Sequence, residues 1–245
     1  MTNMHEGPIL RWLATTGAAG DDEVALACGI TTGAARARLR ALQGDGLARS
    51  ERLLHGAPAL HVLTRAGLRA AGRPELGVVA LSASSFAHHL AVGRVAAALT
   101  SRGAEVCGER ELRVWECAEG RALASAEVGY LRDGSIALHR PDLVCTGAGL
   151  PIAIEVELTV KAPERLRAIV RGWARSRVVA GVVYYAAPAA ARALARALRS
   201  EYAEGRVAVL ALERAGELPP FDRRVPTQAG RSVGRRIESL TARRP

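Results

Sequence analysis

Asp142, Glu155, Glu157 and Lys161 fall within one short segment, the last three in Glu155-Val156-Glu157-Leu158-Thr159-Val160-Lys161. Carboxylates supply hard oxygen ligands and accept protons, and an ammonium supplies a compact charge whose proton affinity its surroundings can shift. Lys161 is the only lysine among 34 Lys and Arg residues. Side chains alternate along a strand, so Ile152, Ile154, Val156, Leu158 and Val160 are expected on the core side. Glu155, Glu157, Thr159 and Lys161 are then expected together on the other side. A reversal through Thr146-Gly147-Ala148-Gly149-Leu150-Pro151, centred between Ala148 and Gly149, sets Asp142 opposite Glu155, with Cβ atoms about 5 Å apart. Two carboxylates that close repel unless a cation, a shared proton or a base relieves them, and an oxygen-rich pair suits Mg²⁺. In a continuing strand Lys161 lies about 13 Å from Glu157. At that distance it serves a phosphate lying across the site or stands as a surface lysine before a helix.

The flanking elements must hold that strand pair. Phe86, Leu90, Val92, Val95 and Leu99 recur at helical spacing before Gly103; 104–116 reads as strand, and 135–145 and 150–160 as two more. Pro163 opens a helix with Leu166, Ile169, Val170 and Trp173 inward and Arg165, Arg167, Arg171 and Arg175 outward. A β-prone run at 177–186, a helix from Pro188 and a strand at 206–212 complete a mixed sheet flanked by helices. His88, His89 and His139 are further candidates for proton transfer or phosphate contact.

The first seventy residues have a different pattern. Helices are expected at 8–16, from Asp21 or Asp22 to Gly29, and from Thr31 or Thr32 to Gly44, where Ala35, Leu39 and Leu42 face inward. Two strands joined through His55-Gly56-Ala57-Pro58 and a short helix capped at Thr64 follow. Helix, glycine turn, helix and hairpin make a winged helix-turn-helix. Thr32, Arg36, Arg38 and Arg40 on its third helix and Arg49 and Arg52 on the wing are placed to meet phosphates and base edges. Arg167 and Arg171 supply a second basic surface. A small helical module that binds protein is the alternative.

The net charge of +10 implies a polyanionic partner, with double-stranded DNA the expected one. There is no uncharged run long enough for a membrane span and no secretory pattern at the start, so a cytoplasmic protein without membrane contact is expected. Cys28, Cys107, Cys117 and Cys145 are scattered, as free thiols are. The Gly/Pro break at 72–77 divides the chain into 1–75 and 76–215, and 216–245 is a basic tail suited to salt-dependent phosphate contact. Winged-helix proteins commonly read paired half-sites, so a homodimer is expected.

Pro141-Asp142 followed by Glu155-Val156-Glu157 across a strand–turn–strand, with a helix behind, resembles the PD-(D/E)xK nuclease superfamily and its restriction-endonuclease-like α/β fold. The resemblance implies that Asp142 and Glu155 hold Mg²⁺, with the Val156 carbonyl as a further donor. Glu157 stands where the pattern has its lysine, as in some members, which makes Lys161 the substitute ammonium. With the winged helix in front, the chain resembles the replication-relaxation family of plasmids, phages and integrative elements, over about residues 7–190. That implies DNA binding linked to replication or transfer of mobile DNA, with the nuclease-like domain either inactive or an Mg²⁺-dependent endonuclease at Asp142, Glu155 and Glu157.

Overall fold

The computed structural model describes residues 7–147 and 149–222 as a mixed α/β protein. The chain forms two compact units that divide between Val114 and Trp115. From residue 223 the expected basic tail lies outside the described residues. No helix among the described residues is long and apolar enough to cross a membrane.

The first unit begins with α1 (Gly7–Thr16), β1 (Ala18–Ala19), α2 (Asp21–Cys28) and α3 (Thr32–Gly44). β2 (Ala48–Glu51), β3 (Leu60–Leu63) and α4 (Arg65–Ala70) follow, then α5 (Ala83–Ser101) and β4 (Val106–Gly108). The strands β1, β3 and β2 form an antiparallel sheet in that order. Ala35, Leu39 and Leu42 of α3 are fully buried, as their spacing predicts. Gly29 ends α2 in the left-handed region, φ 62°, which costs a glycine nothing. The Thr31 hydroxyl accepts the Ala34 N–H at the start of α3. The start of α2 differs from expectation: Gly20 is the cap residue and its N–H donates to Glu23, so the carboxylate that closes this turn lies inside the helix.

The break at 72–77 falls inside this unit, because α5 packs against α2 and β1 and carries the compact region on to residue 114. Phe86 of α5 joins Ala18, Leu60 and Val62 in one apolar cluster, a contact that local turn signals do not report. The strand expected over 104–116 stops at Gly108, where α6 (Glu109–Glu119) begins. Burial at 111, 112 and 116 follows a helical period. Two of those buried positions are glutamates, Glu111 paired with Arg73 and Glu116 with Arg140, which hid the period from a reading of apolar residues.

The second unit contains β5 (Ala126–Tyr130), β6 (Ile136–His139), β7 (Leu143–Cys145), β8 (Ile152–Glu157), α7 (Pro163–Arg175), β9 (Gly181–Ala186), α8 (Pro188–Ser200) and β10 (Val207–Ala211). Its strands run β10-β9-β8-β7, with β8, β9 and β10 parallel and β7 antiparallel to β8. All six residues of β8 and all six of β9 are buried, as parallel strands covered on both faces must be. The acidic side of β8 is therefore enclosed, where the alternating pattern predicted only one core face. Pro141 and Asp142 interrupt the single strand expected over 135–145. β5 was not foreseen, because Gly129 at φ 139° and a bulge between Glu127 and Gly129 break its alternation. Leu166, Ile169, Val170 and Trp173 are buried on α7 as expected.

Candidate functional site

The pairing of β7 with β8 matches Leu143 to Ile154 and Cys145 to Ile152. This is the register of a reversal centred between residues 148 and 149, and continuing it by one residue puts Asp142 opposite Glu155. The half-buried Asp142 accepts the Val156 N–H on Oδ2 at 2.7 Å, which locks the carboxylate against β8. Glu155 is 4% exposed, and its Oε1 lies 2.7 Å from Nε2 of His139, the last residue of β6. The His139 ring meets Trp173 of α7 edge-on, centroids 6.0 Å apart. Tyr184 of β9, the register partner of Glu155, is enclosed beside it. The sequence alone marks His139 only as a general candidate for proton transfer or phosphate contact; its position three residues before Asp142 is the available signal for its place here. Tyr184 had no signal of its own, because its place depends on the long-range pairing of β8 with β9.

Lys161 does not continue the strand. β8 ends at Glu157 and the chain bends at Thr159 before Pro163 starts α7. That bend returns Lys161 to Glu157, and its Nζ forms an ion pair with Glu157 Oε2. The expected separation of about 13 Å assumed an unbroken strand. Asp142, Glu155, Glu157 and Lys161 are thus gathered by two strands and one turn.

Burial pushes the Glu155 carboxyl above its ordinary range; His139 opposes this, the Asp142 charge adds to it and Lys161 opposes it. Burial also lowers the Lys161 ammonium; Glu155 and Asp142 pull it back up and Arg165 pushes it further down. The Tyr184 phenol is pushed well above 10.0 by burial and by the charges of Glu155 and Asp142. It therefore stays protonated. A carboxyl whose folded pKa lies above its ordinary 4.5 contributes stability that is complete below pH 4.5 and is lost as pH rises through the folded value. Glu155→Gln should therefore be more stable than the parent at neutral pH and show a flatter decline from pH 5 to pH 8. Urea unfolding of both proteins at the two pH values measures this, and a neutral-pH loss on substitution would contradict it.

Among the described residues no group of three or more His, Cys, Asp and Glu side chains has metal-holding geometry. Mg²⁺ commonly takes one or two protein carboxylates and completes its shell with water and substrate phosphate. Asp142 and Glu155 fit that requirement. They are hard donors set opposite each other by register, and Glu155 carries a burial cost that a cation would relieve.

The candidate residues of the first unit divide into tethered and open. The Thr32 hydroxyl donates to Asp22 at 2.9 Å and Arg36 pairs with Asp21 at 2.9 Å. Arg49 is held by Glu51 at 2.6 Å and by the Val79 carbonyl at 2.8 Å, so it anchors β2. Arg38 is half-buried, and Arg40 and Arg52 are exposed. In the second unit Arg167 is exposed, while Arg171 grips Glu201 through two hydrogen bonds of 2.8 and 2.9 Å. His88 and His89 lie on α5 of the first unit, their rings 6.4 Å apart.

No protein-family model, curated protein or solved structure matches the chain significantly.

Proposed function

We propose that this is a double-stranded-DNA-binding protein of the replication-relaxation type, acting in replication, transfer or regulation of plasmid or other mobile DNA. In this reading residues 7–70 are a winged helix-turn-helix, and the second unit is a restriction-endonuclease-like domain with a phosphodiester-cleaving site. The observation that carries the cleavage reading is the return of Lys161 to Glu157, beside an Asp142 set opposite Glu155. The order α1-β1-α2-α3-β2-β3 with an exposed Arg40 and Arg52 supports the DNA-binding reading.

Mg²⁺ held by Asp142 and Glu155 would supply charge stabilisation at the phosphate and a more acidic water. The chain's own groups do the rest. Glu157 fixes the Lys161 ammonium, and burial makes that ammonium readier to release a proton at Nζ. His139 fixes Glu155, and Asp142 is oriented by the Val156 N–H. Arginine at 161 would remain charged at any working pH, which explains why this position keeps a lysine in an arginine-rich chain.

One observation favours a second reading, in which the domain is a scaffold without a reaction. Glu157 with Lys161 and Glu155 with His139 already form pairs that relieve the buried acids without a cation. Conversion of supercoiled plasmid to nicked or linear product in Mg²⁺ or Mn²⁺ separates the two readings. Product lost in Asp142→Ala and Glu155→Ala supports the site, and intact plasmid with undiminished duplex binding supports the scaffold.

Duplex binding has its own test. Arg40→Ala and Arg52→Ala should each weaken binding to unrelated duplexes alike and lower the salt slope by about 1. Arg36→Ala should do less, because Asp21 already holds that guanidinium. Fluorescence anisotropy between 50 and 200 mM salt reads both quantities, and unchanged slopes in the two variants would remove α3 and the wing from the interface.

A further inference from the structure

Away from the acidic site, the second unit has a cavity of about 410 Å³ between the β5–β6 hairpin and the C-terminal end of α7. Its volume lies within the roughly 300–1,000 Å³ typical of small-molecule sites. Tyr130 and Ile136, register partners across the hairpin, line one side and are 80% and 48% exposed. Arg175 and Arg177 line the other side, and neither is in an ion pair among the described residues. Ser125 lies in the lining at 2% exposure, and its buried Oγ has no hydrogen-bond partner. Glu127 adds a carboxylate.

The walls are fixed. Gly172 lets α7 lie directly on the hairpin, since a Cβ there would come within 2.6 Å of the Glu127 carbonyl oxygen. Beyond α7, Arg206 donates to the carbonyls of Ser176 at 2.7 Å and Val179 at 2.8 Å, bracing the turn that carries Arg177. Burial and the nearby Arg177 charge both disfavour the charge on Arg206, so the turn is a local excess of positive charge that an anion would relieve.

We infer that this cavity binds a nucleoside phosphate, stacking one unpaired base on Tyr130 and holding its phosphate with Arg175 and Arg177. A planar ring covers the open Tyr130 face and Ile136, which an inorganic anion would leave in water. A phosphate answers the two guanidiniums, which an apolar ligand would leave unmatched. Ser125 and Glu127 remain for the polar edge of the base, and the carboxylate selects edges bearing an N–H donor, such as those of cytosine, adenine and guanine. The inference uses neither the acidic site nor the helix-turn-helix, so it stands whether or not the protein cleaves DNA.

The test uses 2-aminopurine, a fluorescent base with an amino edge that is quenched on stacking, titrated with the full-length chain. One arm is the free 2-aminopurine deoxynucleoside monophosphate, one a single-stranded octamer carrying one such base, and one the same octamer in duplex. Saturable quenching is expected in the single-stranded arm and absent from the duplex. Quenching of the monophosphate as well assigns the site to free nucleotides, and its restriction to the octamer assigns it to a nucleotide within a strand. Tyr130→Ala should weaken binding about tenfold and abolish quenching, while Tyr130→Phe retains both. Because the Tyr130 side chain is mostly in solvent, this variant leaves the fold intact, as circular dichroism will verify. Arg177→Ala should weaken the monophosphate but not the corresponding nucleoside. Quenching that survives Tyr130→Ala, or its absence from both the monophosphate and the single-stranded octamer, overturns the inference even if duplex binding and cleavage are found.

Discussion

Asp142→Ala and Glu155→Ala should each reduce Mg²⁺- or Mn²⁺-dependent relaxation of supercoiled plasmid by at least about 10²-fold, with duplex affinity unchanged. The two residues are expected to fail together because the register of β7 and β8, continued by one residue, sets them opposite each other and the Asp142 charge acts on Glu155. Asp142→Ala also deprives the Val156 N–H of its acceptor, so lost activity alone would not separate chemistry from local disorder. Asp142→Asn makes that separation, since the amide oxygen still accepts the N–H while the charge is gone. It should be as inactive as the alanine variant. Lys161→Arg tests the ammonium. It keeps a positive charge beside Glu157 but not a readily released proton, so it should lie close to Lys161→Ala in rate and not close to the parent. Full activity in Lys161→Arg would reduce Lys161 to a phosphate contact, and activity in Asp142→Asn would remove the carboxylate pair from the reaction.

The local features of this site were legible because they obey short-range rules. Gly147 and Gly149 fixed the reversal, the reversal fixed the register, and the register put Asp142 opposite Glu155. The same rules found α3 with its buried Ala35, Leu39 and Leu42, and the inward stripe of α7. What the residues did not disclose depends on contacts distant in sequence or on breaks in pattern. Alternation could not show where β8 ends, so Lys161 was drawn along a strand instead of around the bend at Thr159. Apolar spacing missed α6 because Glu111 and Glu116 occupy buried positions with arginine partners. It also missed β5, where Gly129 interrupts the strand and the neighbouring α7 supplies the packing. The cavity beside β5 was hidden for that reason, since an unseen hairpin cannot be given a wall. Likewise Arg49 and Arg171 were legible as basic residues but not as tethers, because Val79 and Glu201 lie about 30 positions away.

Trp173→Ala should cause the largest loss of stability of any single substitution in the second unit, about 3–5 kcal/mol. Trp173 is fully buried on the inward face of α7, in register with Leu166, Ile169 and Val170. Removing the indole opens a cavity that its neighbours are poorly placed to fill, because α7 is pinned against β5 at Gly172. The ring has a second role. Its edge-on contact with His139 at 6.0 Å holds the imidazole that meets Glu155, so packing and site geometry share this side chain. Trp173→Phe retains an aromatic surface and most of the buried area, and should lose less than half as much stability. Under conditions where both variants are folded, the two roles can be told apart. If the ring matters through His139, Trp173→Ala lowers any cleavage rate and shifts its pH profile as His139→Ala does, while Trp173→Phe keeps the parent profile. Urea unfolding followed by circular dichroism gives the stability comparison. A loss below about 1 kcal/mol in Trp173→Ala would mean that the core beneath α7 does not depend on this ring.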